Sequence, residues 1–217
     1  MQKTIRTQLS DLRPVFLWVY GPLCMGMVII LGAIYAAGIP LAWLTRDPLA
    51  IMGGEFYVGS ISNFGILFWC GAATISLFTA GLLGRSEEAR EDRKFLLFGG
   101  LLTLLLCLDD LYMFHETVFP RYFHLKEGLV VLSYGVLLMA YVWRFRKTIL
   151  ESRFLLLLLA SLFLGVSAVV DRLVHDTFPL RHLIEDGSKL FGIVSWFAYY
   201  LTFCRNLLAA KTGASGE

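Results

Sequence analysis

Charge is scarce in this sequence. Asp, Glu, Lys and Arg make up 17% of its 217 residues, against about 25% in an ordinary globular domain. The net formal charge is only +2, and no basic patch interleaved with aromatics occurs, so nothing marks a nucleic-acid partner. Cysteine is equally sparing. Cys24, Cys70, Cys107 and Cys204 fall one to an apolar run, without the close pairing of a zinc site or redox motif, and read as small packing residues.

What occupies the space instead is apolar: 57% of the chain is hydrophobic. A bilayer-spanning helix needs about 20 such residues. Six stretches qualify, near 15–37, 56–83, 95–114, 128–143, 154–171 and 188–204. They predict an all-α integral membrane protein, one transmembrane domain over 1–217, with six transmembrane helices arranged as three helical hairpins. The opening "MQKTIRTQLSDLRPVF" is basic like a secretory signal, but the apolar run behind it is too long for one and reads as an uncleaved first span.

Orientation follows from Lys and Arg. The N-terminal segment holds Lys3, Arg6 and Arg13; "GRSEEAREDRK" holds Arg85, Arg90, Arg93 and Lys94; "RFRKTILESR" holds Arg144, Arg146, Lys147 and Arg153; the tail holds Arg205 and Lys211. With six spans these share one side, leaving Arg46, Arg121, Lys126, Arg172, Arg181 and Lys189 on the other. Both termini are therefore expected in the cytoplasm, in a membrane of the bacterial inner-membrane type. All four histidines then gather at the outer face, with Glu55, Asp109, Asp110, Glu116, Glu127, Asp171, Asp176, Glu185 and Asp186.

That face carries a repeat. "FHETVFPRYFHLKEG" at 114–128 returns as "VHDTFPLRHLIEDG" at 174–187. His115-Glu116-Thr117 aligns with His175-Asp176-Thr177, Phe119-Pro120 with Phe178-Pro179, and Glu127-Gly128 with Asp186-Gly187. Proline disfavours helix before it and restarts one well, so each copy reads as a hairpin turn with His and acid on both limbs. A third copy is expected around "GGEFYVGSISNFG", with Glu55, Gly59 and Ser62 on one helical stripe.

Asp109 and Asp110 sit oddly deep. Only fourteen residues separate Phe95 from Leu108, about 21 Å of helix, short of the ~30 Å hydrocarbon core. Two adjacent carboxylates at that depth need a cation, a basic side chain, a shared proton or a watery cavity. Asp171 raises the same demand. Helical spacing stacks Asp171 on His175, Asp109 on Glu116, and His182 on Glu185 and Asp186. An H-x-x-E/D pair is how helical bundles present metal ligands inward.

These residues support a membrane-embedded hydrolase of a lipid amide or ester. His115, His182 and either His175 or Asp186 would hold a metal, and Glu127 or Asp110 would serve as general base. Zinc suits His and carboxylate; iron or manganese would accept more carboxylates. Equally open is a non-enzymatic sensor, a lipid or ligand binder, or an accessory subunit in a homo-oligomer or larger membrane complex. A haem or quinone redox protein and an ion transporter are further alternatives.

Two stretches resemble a known family. "EFYVGSISN" is similar to the Glu-Phe followed by Ser-Asn that opens a span in the alkaline ceramidases, and "FHETVFPRYFHLKEG" to the Phe-His-x-Thr that closes one there. The ceramidases belong to the CREST group of integral membrane hydrolases, with Per1-like proteins and progestin/adiponectin receptors. The resemblance implies a zinc with His115 as first ligand, Glu127 in the place of the family's acid, and His182 as the first of a His-x3-His pair. Here Asp186 stands where the second histidine of that pair falls, and Leu111 where the family has a serine.

Overall fold

A computed structural model of the chain describes residues 12–83, 87–174 and 178–213. Two compact units divide at Val58 and Gly59. In the first, a π-helical turn at Phe16–Tyr20 leads into α1 (Gly21–Ala36), then two short helices, α2 (Ala42–Thr45) and α3 (Pro48–Met52). Asp47 caps α3, its Oδ1 accepting from the backbone N–H of Leu49 at 2.8 Å and of Ala50 at 3.3 Å, as N-caps do. None of the residues of α1 is buried.

The second unit is a helical bundle. Its elements are α4 (Ser60–Leu82), α5 (Glu87–Tyr112), a π-helical turn (Phe114–Val118), α6 (Phe119–Phe123), α7 (Glu127–Arg144), α8 (Arg146–Glu151), α9 (Leu155–Leu173) and α10 (Arg181–Gly213). There is no strand among the described residues. Among the described residues five helices are long and apolar enough to cross a membrane: Leu12–Ala36, Ser60–Leu82, Ala89–Tyr112, Glu127–Arg144 and Leu155–Leu173. The sixth stretch read from the sequence lies inside α10, which is not among them. Its Trp196, Tyr199 and Tyr200 carry polar tips, and all three are turned fully inward. Helix α10 packs on both α9 and α4, with α5 against α4.

Two polar readings change with these boundaries. Helix α4 begins at Ser60, and Glu55 precedes it in the other unit, so Glu55 shares no helical stripe with Ser62. Helix α5 ends at Tyr112 and Met113 turns left-handed (φ 51°), so Glu116 is not stacked seven residues above Asp109.

Packing at the end away from the acids is aromatic. Phe95 is fully buried, stacked between Tyr141 and Tyr200 at ring distances of 5.4 and 6.0 Å. The hydroxyls of Tyr141 and Tyr200 meet at 2.9 Å, and Tyr141 also donates to the Phe95 carbonyl at 3.2 Å. Trp196 donates its indole N–H to Thr103 Oγ1 at 3.0 Å. Every one of these buried polar tips thus finds a partner, as buried hydroxyl and indole groups require.

Small residues let the helices close in. A Cβ on Gly192 would lie 2.7 Å from Leu164 Cγ and 3.0 Å from the Leu164 backbone nitrogen, so α9 itself would have to move. Gly192→Ala is expected to cost about 1–3 kcal/mol, read as a lowered midpoint of thermal unfolding in detergent. Gly135, whose added Cβ would meet nothing, supplies the control: Gly135→Ala should be neutral or slightly stabilising. Equal midpoints for the two variants would contradict the close approach.

Candidate functional site: a charged cluster at the end of the bundle

Asp109 and Asp110 occupy the last turn of α5, so adjacent side chains project in different directions. Asp109 is 4% exposed and turns toward α7. Its Oδ1 accepts from the Tyr134 hydroxyl at 2.9 Å and from the His115 backbone N–H at 3.0 Å. Its Oδ2 pairs with the His115 ring at Nδ1. The break at Met113 creates this arrangement. Reversing the chain brings His115 back over the carboxylate, and the π-helical turn carries it there. Left-handed non-glycine residues cost energy and cluster at functional places. Only Met113 and His124 have positive φ without being glycine among the described residues, and they bracket the segment 113–124.

Asp110 turns the other way, toward α4 and α10. Its Oδ1 accepts from Lys189 Nζ at 2.7 Å and its Oδ2 from the Trp69 indole N–H at 2.9 Å. The demand made by two acids at this depth is therefore met by a basic side chain for one and a histidine for the other. Beside the ion pair lies a cleft of about 20 Å³, walled by Ser62, Gly65, Asp110, Asp186, Lys189 and Ile193. That is room for about one water molecule.

A second network crosses the rim. Glu127, opening α7, accepts from Arg172 at 3.0 Å. Arg172 Nε lies 3.8 Å from Asp171. Asp171 accepts from Arg181 at 3.2 Å through its carboxylate and at 2.9 Å through its carbonyl. Arg181 in turn stands 3.8 Å from Glu185, and His182 Nδ1 stands 3.9 Å from the same carboxylate. The chain of charges ties α7, α9 and the start of α10 together. Glu127, Asp171 and Arg172 are about half exposed, so their links contribute little alone, about 0–1 kcal/mol, whereas Arg181 and Glu185 are 12% and 22% exposed.

The sequence-derived candidates therefore divide. Asp109, His115 and Glu116 form one group, with His115 Nε2 3.4 Å from Glu116. Asp110, Asp186 and Ser62 share the cleft. Glu127, Asp171, Glu185 and His182 belong to the rim, where the His182 side chain is 75% exposed. His175 lies outside the described residues, as does Asp176. Among the described residues no three His, Cys, Asp or Glu side chains are gathered as a metal site. Of the zinc donors implied by the ceramidase resemblance, the His115 ring is turned onto Asp109 and His182 stands at the exposed rim. Both oxygens of Asp109 and of Asp110 accept from protein donors, one of them from the Lys189 ammonium.

Electrostatics sharpen the His115 arrangement. The Asp109 hydrogen bond holds its pKa above the ordinary 6.5, against burial and the nearby Lys189 charge, with Glu116 assisting. At the rim, burial and the neighbouring Asp171 charge push the Glu185 carboxyl up, outweighing the pull of Arg181.

Sequence reasoning missed the partners: Trp69, Tyr134 and Lys189 as site residues, and Arg172 and Arg181 as rim clamps. One signal was present. Lys189 is the one basic residue inside any of the six predicted stretches, and a lysine within a span calls for an acid.

No curated protein and no solved structure matches the chain. A family model described as a domain of unknown function, DUF8692, matches residues 23–203. That range takes in nearly all of α1, the helices α2 to α9, most of α10 and the whole charged cluster, and the chain belongs to the DUF8692 family.

Proposed function

We propose that this is a six-span membrane protein of three helical hairpins, with both termini cytoplasmic, acting as a proton-responsive sensor at its outer face. The observation that carries the reading is the three-fold hold on Asp109 by the His115 ring, the His115 N–H and Tyr134, placed where α5 breaks. A titratable imidazole fastens a segment bounded by two left-handed residues, so protonation and local conformation are coupled. The distribution of basic residues supports the orientation. A lipid hydrolase loses its support because the described residues do not assemble the zinc ligands, and no step through a metal is drawn.

The sign of the pH response follows from the raised His115 pKa. The charged pairing contributes its full stabilisation below the unfolded-state value near 6.5. It is lost as pH rises through the higher folded-state value. Residues 113–126 should therefore be held at acidic pH and loosen as pH rises through the His115 titration. Hydrogen exchange of the protein in lipid nanodiscs, corrected for intrinsic rates, reads this directly. Protection of the segment should fall severalfold from the acidic to the alkaline limb of the profile. His115→Gln should flatten the profile. A wild-type profile as flat as the variant's would end the sensor reading.

A further inference from the structure

At the opposite end of the bundle, α5 and α7 leave a lengthwise groove of about 470 Å³. Its walls are two stripes of equal period. Phe98, Leu101, Leu102 and Leu105 come from α5, and Leu137, Ala140, Tyr141 and Arg144 from α7, each at positions i, i+3, i+4 and i+7. Seven residues of helix are about 10 Å, so the groove suits a slender, extended apolar body. Phe98, Leu101 and Leu137 are about half exposed along it. Ala140, short among large neighbours, leaves the room. A void between apolar walls forfeits their dispersion contacts, so in a bilayer the groove is filled.

The mouth says by what. Arg144 lies at the groove's end, its guanidinium 4.8 Å over the Phe145 ring. It donates to Glu91 Oε2 at 2.9 Å, while Lys94 donates to Glu91 Oε1 at 3.0 Å. One carboxylate thus serves two cations, leaving a net positive charge at the opening. Arg146, stacked 4.7 Å over Trp143, and Lys147 add to it in the next turn. An apolar slot one chain wide, with surplus cationic charge at its end, is complementary to a lipid whose acyl chain leads to an anionic headgroup.

We infer that this groove is a binding site for an acidic phospholipid of the leaflet at the basic end. One acyl chain lies between α5 and α7, and the phosphate lies against Arg144 and its basic neighbours. The inference rests on the bilayer-spanning reading above, and is independent of the His115 switch.

The test is native mass spectrometry of the full chain, mixed in detergent with equal dioleoylphosphatidylglycerol and dioleoylphosphatidylcholine, which differ only in headgroup. Wild type should keep the acidic lipid in clear excess. Arg144→Gln should reduce that preference about fivefold, the effect of one basic residue near an anionic surface. Ala140→Trp fills the slot and should abolish retention of both lipids with the basic residues untouched. If that variant does not fold, Leu101→Phe narrows the slot from the other wall and should lower retention of both.

Equal retention of the two lipids by wild type would overturn headgroup recognition. Undiminished phosphatidylglycerol on a folded slot-filling variant would overturn the groove as its seat. So would a wild-type dimer that Ala140→Trp turns to monomer, since a second copy would then be the occupant. Failure of the bilayer reading itself looks different: the chain would stay folded and monodisperse without detergent and carry neither lipid.

Discussion

Asp110→Asn is expected to lower the unfolding free energy of the detergent-solubilised protein by about 2–3 kcal/mol. Removing one member of a buried ion pair costs about 3–5 kcal/mol because the survivor keeps an uncompensated charge. The lower figure applies here because the Lys189 side chain is 35% exposed, whereas that of Asp110 is only 10% exposed. Asparagine retains an acceptor for the Trp69 indole, so the loss reports the charge. Lys189→Met should cost a similar amount by stranding Asp110. The double variant Asp110→Asn with Lys189→Met should then recover most of the deficit, since two neutral groups need no partner. Reversible unfolding of all four proteins gives the coupling energy by a double-mutant cycle. Additive losses would mean that the two side chains do not depend on each other, and the cleft would lose its defining pair.

Trp196→Ala should produce the largest packing defect, about 2–3 kcal/mol. Trp196 is 1% exposed, with Trp69 and Tyr200 at ring distances of 5.7 and 5.6 Å. On the bilayer-spanning reading proposed above, the surroundings are as apolar as this core, so transfer contributes little. What remains is the hole. A void on the order of 100 Å³ at about 24 cal/mol per Å³ gives the stated figure. Thr103 is not stranded, because its hydroxyl still donates to the Gly99 carbonyl at 2.7 Å. Trp196→Phe separates the contributions: it keeps most of the volume, loses the indole hydrogen bond, and should cost about 1 kcal/mol. If phenylalanine cost as much as alanine, the hydrogen bond rather than the packing would dominate.

The helical architecture was legible because length and apolarity are local properties. The stretches 56–83, 128–143 and 154–171 each correspond to a helix within about four residues at either end, and 95–114 falls on α5, which starts earlier, at Glu87. Helix α10 was the exception in extent, running from Arg181 to Gly213 rather than over 188–204. Charged residues at its start are accommodated by Asp171 of α9 and Asp110 of α5, which hydropathy along one segment does not register. The need of Asp109 and Asp110 for partners also followed from counting residues. Which partners they took did not. Tyr134 lies 25 positions from Asp109, and Lys189 lies 79 from Asp110. Pairings over such separations depend on which helices become neighbours. Of the His-acid repeat, Met113 folds the first copy back onto its own helix, and Arg172 and Arg181 draw the rim acids into a ladder, while His175 and Asp176 of the second copy lie outside the described residues.

Helix α10 has one consequence for the molecule as a whole. Lys189 near one end and Tyr200 eleven residues on are about 16 Å apart along a single unbroken rod. A shift of that rod prompted by losing the Asp110 contact would also disturb the hydroxyl shared by Tyr141 and Tyr200. Two opposite faces of the bundle are therefore mechanically joined by one helix, with no intervening loop to absorb the motion.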